Sequence, residues 1–161
     1  MTLSRLAGAV LASLLPAVLS LGLAMALGGC ITAAAAADPE TARLARIVEQ
    51  DAHNLAAALD GKTAPECEFE QNVNIYTALD ADISGLATHL AQGSGHAALR
   101  QAVRALARTA AAARDSHRLA SLERTDAAGP CLSPGALDLN VAAIARASAA
   151  IAAAATPGDR P

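Results

Sequence analysis

Aromatic side chains are almost missing from this 161-residue chain: it has no tryptophan, one phenylalanine (Phe69) and one tyrosine (Tyr76). Aromatics normally supply large buried areas, so any core has to be built from Leu, Ile, Val and Ala. Ala-rich helices pack closely but bury little area each, and a modest core of that kind gains from a covalent staple. The same scarcity removes the platforms on which single-stranded nucleic acid is stacked. Methionine is confined to Met1 and Met25, and lysine to Lys62.

The motifs of catalysis and cofactor binding are missing as well. There is no G-x-S-x-G elbow, no phosphate-binding glycine loop and no nucleophile recognisable beside a base. Asp80 and Asp82 are two residues apart, so on a helix they face different directions. Covalent haem needs C-x-x-C-H, and a four-helix b-type haem site uses Met and His. No Met follows residue 30, and the last apolar segment has no His. Zinc spacings such as H-x3-H or H-E-x-x-H do not occur. Glu49 and His53 are four apart, not the three of the di-iron Glu-x-x-His pair. The sequence therefore points away from an enzyme, and no cofactor is expected.

What is present begins with a long apolar run. Met1 to Arg5 carries one positive charge, Leu6 to Leu27 is uncharged and rich in Leu, Ala and Val, and Gly28-Gly29 precedes Cys30. This is the order of a charged n-region, an apolar h-region and a small-residue cleavage site. Leu27-Gly28-Gly29-Cys30 resembles the lipobox of bacterial lipoproteins, with Leu27 at −3 and Cys30 as the new N-terminus. The resemblance covers residues 1–30 alone. It implies that residues 1–29 are a signal peptide removed by signal peptidase II, that the Cys30 thiol is diacylated and that its amine is often acylated too. It also implies a location at the cell membrane or outer membrane, lipid-anchored and facing periplasm or exterior; Ile31 rather than Asp after the cysteine favours the outer membrane. Several acyl chains hold far better than one, at about 0.8 kcal/mol per buried CH₂. The alternative is an ordinary signal peptide or an uncleaved anchor, because the run is long enough to cross a bilayer. Pro16 and the scattered glycines make a poor permanent helix.

Beyond Cys30 the chain carries eleven basic and fifteen acidic residues, a net of −4. Export, that charge and the missing aromatics disfavour nucleic acid. Ile31 to Ala37 reads as an Ala-rich stalk. Asp38-Pro39-Glu40 then has the form of a helix start, with Asp as N-cap, Pro at the first position and an acid in the first turn. Leu44, Val48, Leu55 and Leu59 give its stripe, and Asp60-Gly61 its end. Thr63 to Glu66 has capping-box spacing, so a second helix is expected from there, with Glu66, Glu68 and Glu70 in its first turn. Phe69, Val73, Tyr76, Leu79, Ile83, Leu86 and Leu90 carry it to Gly93. A third runs from His96 with a seam through Leu99, Val103, Leu106, Ala110, Ala113, His117 and Ala120. Ser133-Pro134 caps a fourth, with Leu137, Val141, Ile144, Ser148, Ile151 and Ala155.

Every proline after the signal lies at an inferred helix start or outside the helices, as expected when an interior proline costs about 3 kcal/mol. The predicted fold is all-α: an antiparallel up-down-up-down four-helix bundle over 38–156, after an N-terminal signal helix, with a disordered tail at 157–161. With Cys30 acylated, Cys67 and Cys131 remain as an even pair in an oxidising compartment. In this topology the loop joining helices one and two lies at the same end as the loop joining three and four. Cys67 follows the first and Cys131 lies in the second, so a disulfide between them is expected.

Two clusters are candidates for function. Arg100, Arg104, Arg108, Arg114 and Arg118 share helix three within an arc of about 120° beside its apolar seam. They have no acid at i±4 to pair with. Either they pair with the acidic first half (ten acids against three bases over 38–82) or face water, or they form a surface for an acidic protein partner or anionic envelope polymer. His89 and His96 flank the turn between helices two and three and could approach one another. His117, on the seam, is expected at a bundle end with its tip in water. Two functions follow: a non-catalytic binding or assembly module of the cell envelope, or a periplasmic bundle holding a small ligand or metal.

Overall fold

The computed structural model describes residues 38–93, 96–123 and 131–156. Four helices follow one another within them: α1 (Pro39–Leu59), α2 (Phe69–Gln92), α3 (Ala97–Glu123) and α4 (Pro134–Ala155). No strand occurs among the described residues. The signal segment 1–29, Cys30 and the stalk through residue 37, and the tail 157–161 lie outside the described residues.

The start of α1 follows from its first three residues. Asp38 is the N-cap, and its Oδ1 accepts from the backbone N–H groups of Glu40 and Thr41, both at 3.1 Å. Two of the donors that a helix start leaves unpaired are satisfied in this way. Asp38 Oδ2 takes the Thr41 hydroxyl at 2.7 Å and His89 Nε2 at 2.9 Å, and its backbone N–H donates to the Ala155 carbonyl at 2.9 Å. One residue thus ties together the start of α1, the end of α2 and the end of α4. Burial pushes the Asp38 carboxyl upward, but its hydrogen bonds from Thr41 and the bond and charge of His89 outweigh this and hold it at about 2. At the other end of α1, Gly61 takes a left-handed φ of 66°, which a glycine adopts without steric penalty.

The second helix begins later than its sequence suggests. Thr63 to Glu66 makes no capping box, and α2 starts at Phe69 with Glu68 as an N-cap that contributes no side-chain cap bond. Residues 63–68 are instead turned on themselves: Cys67 N–H donates to the Thr63 carbonyl (3.3 Å), Glu68 N–H to Pro65 (3.1 Å), and the Ala64–Pro65 peptide is cis. Asn72 braces this turn from inside the helix, donating to the carbonyls of Glu66 and Glu68 at 2.9 Å each. Local capping chemistry yields here to the tertiary demand that Cys67 be delivered, buried, to Cys131.

α1 packs against α2 and α4, and α3 packs against the same two helices. The α1–α4 contact is the most extensive. Ala42, Ala45 and Ala52 on one side and Ala152 and Ala155 on the other are buried, so the two backbones approach closely with few side-chain atoms between them. The wider spaces around α2 and α3 are filled by Leu79, Ile83, Leu86, Leu90, Leu99, Val103 and Leu106. Among the described residues four polar ones are buried, Thr41, Asn72, His117 and Ser148. Each is hydrogen-bonded within the chain, Ser148 by donating to the Ile144 carbonyl at 2.9 Å. Among the described residues one helical stretch, Gly135–Ala155, is long and apolar enough to cross a membrane. Its mean hydropathy comes largely from alanine, and its Ile144, Ser148 and Ile151 face the core.

Candidate partner surface

The five arginines of α3 divide into two groups. Arg100 donates from Nη1 to the carbonyls of Gly93 (3.2 Å) and Leu90 (3.4 Å), closing the end of α2, where carbonyls have no partner within the helix. Arg114 pairs with Asp80 of α2. Arg104, Arg108 and Arg118 are exposed and have no acidic partner among the described residues. The structure therefore joins two of the stripe to α2 and leaves three in water, along one side of the helix.

The histidines are also separated by their surroundings. His89 Nε2 lies against Asp38 rather than free at the turn. His96 folds back over Gly93 so tightly that a Cβ there would come within 2.6 Å of its ring. A side chain at position 93 would push the His96 ring aside. His53 is exposed. Among the described residues no group of three or more His, Cys, Asp or Glu side chains is placed to hold a metal ion.

His117 differs from the sequence expectation: its side chain is fully buried, with no tip in water. Nε2 lies 2.8 Å from the Cys67 carbonyl and Nδ1 lies 3.1 Å from the Tyr76 hydroxyl. A carbonyl only accepts, so Nε2 carries the proton and Nδ1 accepts from Tyr76. This neutral tautomer satisfies every polar atom of the pair. Burial lowers the His117 pKa, outweighing the carbonyl bond, and burial pushes the Tyr76 hydroxyl up. Phe69 stacks edge-on to His117 with ring centres 5.7 Å apart and lies as close to Tyr76. Both aromatics of the chain thus surround the histidine that holds the Cys67 turn. The Cys67–Cys131 disulfide sits beside this cluster with a Cα–Cα distance of 5.6 Å, and Cys131 N–H donates to Cys67 Sγ.

One polar feature went unread in the sequence. Asp51 of α1 and Asp82 of α2 share a hydrogen bond, and Asp51 Oδ2 is buried without a partner. Burial first, then the bond and charge of Asp82, push the Asp51 carboxyl up to about 6. The available signal was its position, three residues after Val48 and four before Leu55, on the edge of the apolar stripe.

Between α2 and α3 lies an open groove of about 320 Å³. Ile83 and Val103 form its floor, and Arg104 stands at its rim. No family model, curated protein or solved structure matches this chain.

Proposed function

We propose that this chain is a lipid-anchored, non-catalytic binding or assembly module of a bacterial cell envelope. Residues 1–29 are removed, Cys30 is acylated, and residues 30–37 tether the domain at the cell membrane or outer membrane, facing periplasm or exterior. The observation that carries the anchoring is the run from Leu6 to Cys30 ending in Leu27-Gly28-Gly29-Cys30.

The four helices form an up-down-up-down bundle in this reading. Supporting it, the start of α1 touches the ends of α2 and α4 through Asp38. The start of α2 touches the end of α3, where Phe69 N–H donates to Ser121 Oγ at 3.1 Å, and the disulfide brings it to Cys131 before α4. The anchor then lies at the Asp38 end and the disulfide at the far end.

The partner is a protein of the envelope, met by the outward side of α3. Arg104, Arg108 and Arg118 support this, since cations without an internal partner are free to pair with an acidic surface. Nucleic acid is not a partner in this reading. The test is a photo-cross-linking residue placed at Arg108 of the lipidated protein in living cells, with Arg146 on α4 as the control position. A defined adduct from 108, absent from 146 and lost when Arg104 and Arg118 are changed to Glu without loss of thermal stability, supports the proposal. Equal adducts from both positions, or none, contradict it. Metal binding has less support, because no three His, Cys, Asp or Glu side chains converge among the described residues.

A further inference from the structure

We infer that the α2–α3 groove docks an acidic amphipathic helix from the partner, an inference that rests on the partner-binding reading above. α2 and α3 touch along their length, at Phe69–Ser121, at Asp80–Arg114 and where Arg100 meets the carbonyls of Leu90 and Gly93. Between these contacts the groove walls are small, Ser84 and Ala87 on α2 and Ala107 on α3, over the apolar floor of Ile83 and Val103. Its volume of about 320 Å³ is at the small end of ligand pockets. It receives a side chain or two from a longer molecule.

Past the Asp80–Arg114 pair, the same side of the two helices continues toward the start of α2. Eleven residues make three helical turns and eighteen make five, so Val73 lies in line with Ser84, Leu119 with Arg108 and Leu122 with Arg104. Val73 is 36% exposed, Leu119 51% and Leu122 75%. Val73 and Leu122 therefore border the groove side of the two helices, whereas Leu119, about 120° around α3 from Ala107, and Leu139 on α4 do not. The surface runs about 25 Å along α3 from Leu122 to Arg104 at 1.5 Å per residue. Arg104 and Arg118 stand on this side, with Arg108 turned further outward, and none has an acidic partner among the described residues.

An occupant matching this surface has apolar side chains along about five helical turns and carboxylates beside them. That is the i, i+3, i+4, i+7 pattern of a helix laid in a groove, with acids on its flank. A small anion would use the arginines and leave the apolar line in water. A flat anionic bilayer would rest on the outward arginines and leave the groove floor of Ile83 and Val103 unfilled.

The experiment uses the full acylated chain in nanodiscs of zwitterionic phospholipid and a display library of random 16-residue peptides. Enriched peptides are synthesised with a fluorescent label and titrated. The inference predicts that they combine Asp or Glu with Leu, Ile or Phe at helical spacing. It predicts that Arg104→Glu with Arg108→Glu weakens them by about tenfold or more, as expected when rim charges turn repulsive. Ala107→Trp, which fills the groove, has a similar effect, and Arg146→Glu has none. Should Ala107→Trp fail to fold, Ser84→Trp serves in its place. No enrichment, basic or unpatterned peptides, indifference to both groove variants, or capture of anionic vesicles in place of peptide each overturns it. If the adduct from position 108 forms in cells while peptides ignore the groove, partner binding stands and the helix inference falls. Peptides seated in the groove without any cellular adduct show a helix-binding groove but overturn the envelope-partner reading.

Discussion

Neutralising one aspartate is expected to stabilise the protein. Asp51 and Asp82 face one another between α1 and α2, and the Asp51 carboxyl is pushed up from 3.8 to about 6 by burial and by its neighbour. A group raised in the folded state favours folding where it is protonated, and that contribution is lost as pH rises through about 6. Above that pH both carboxylates are ionised in a partly dry contact. A displacement of this size corresponds to about 3 kcal/mol for a fully dry group. Asp51 keeps some contact with water, so about 1 kcal/mol survives screening. Asp51→Asn replaces the shared proton with an N–H donor present at every pH. Urea unfolding with the disulfide intact should show Asp51→Asn more stable than wild type by about 1 kcal/mol at pH 7.5. The advantage should shrink below pH 6 and nearly vanish by about pH 4, where the wild-type carboxyl is protonated. Asp82→Asn should do the same, and the double variant should add little, since one neutral partner already relieves the pair. A variant equal to or weaker than wild type at pH 7.5, or a gain independent of pH, refutes the reasoning.

Three further outcomes follow from the contacts. Replacing Cys67 and Cys131 together by Ser should lower unfolding stability by about 4 kcal/mol in the chain-entropy view of a 64-residue separation; a loss below about 1 kcal/mol would show that the cross-link constrains little. Asp38→Ala removes the cap and the His89 and Thr41 contacts, and should cost about 2 kcal/mol at pH 7 by urea unfolding. Asp38 is depressed in the folded state, so its contribution is present above the ordinary 3.8 and is lost as pH falls toward about 2; a deficit that persists unchanged at pH 2 counts against this. Tyr76→Phe leaves His117 Nδ1 buried without a donor and should cost about 1–2 kcal/mol, while ¹⁵N chemical shifts of the wild type should report the Nε2–H tautomer. Because His117 is lowered, its contribution is full above the ordinary 6.5 and fades as pH falls below it.

The number and limits of the helices were largely legible from short-range signals. Asp38, Ser133 and the prolines beside them mark two helix starts by capping alone, and Ser133 Oγ does accept from Ala136 N–H. The seam of α3 is buried at Leu99, Val103, Leu106, Ala110, Ala113 and His117, as its spacing requires. The start of α2 was misread because a capping box is a local preference of about 1 kcal/mol, whereas the Cys67 turn is held by a disulfide, His117 and Asn72 together. His117 was misplaced for a related reason. A seam histidine can be dry or wet, and the choice depended on Tyr76, 41 positions away. The arginine stripe was visible as an arc, but its division into paired and free members depended on which acids α2 presents. Asp80 reaches Arg114, and no described acid pairs with Arg104, Arg108 or Arg118.

An acyl group on Cys30 would place the Asp38 end at the membrane and turn the disulfide end and the α3 surface outward. The most direct test of the account is therefore labelled palmitate fed to cells making the full chain, beside cells making Cys30→Ser. The account predicts label in the wild-type band, none in the variant, and accumulation of the uncleaved precursor when signal peptidase II is inhibited. No label in the wild type, or equal label in both, contradicts it.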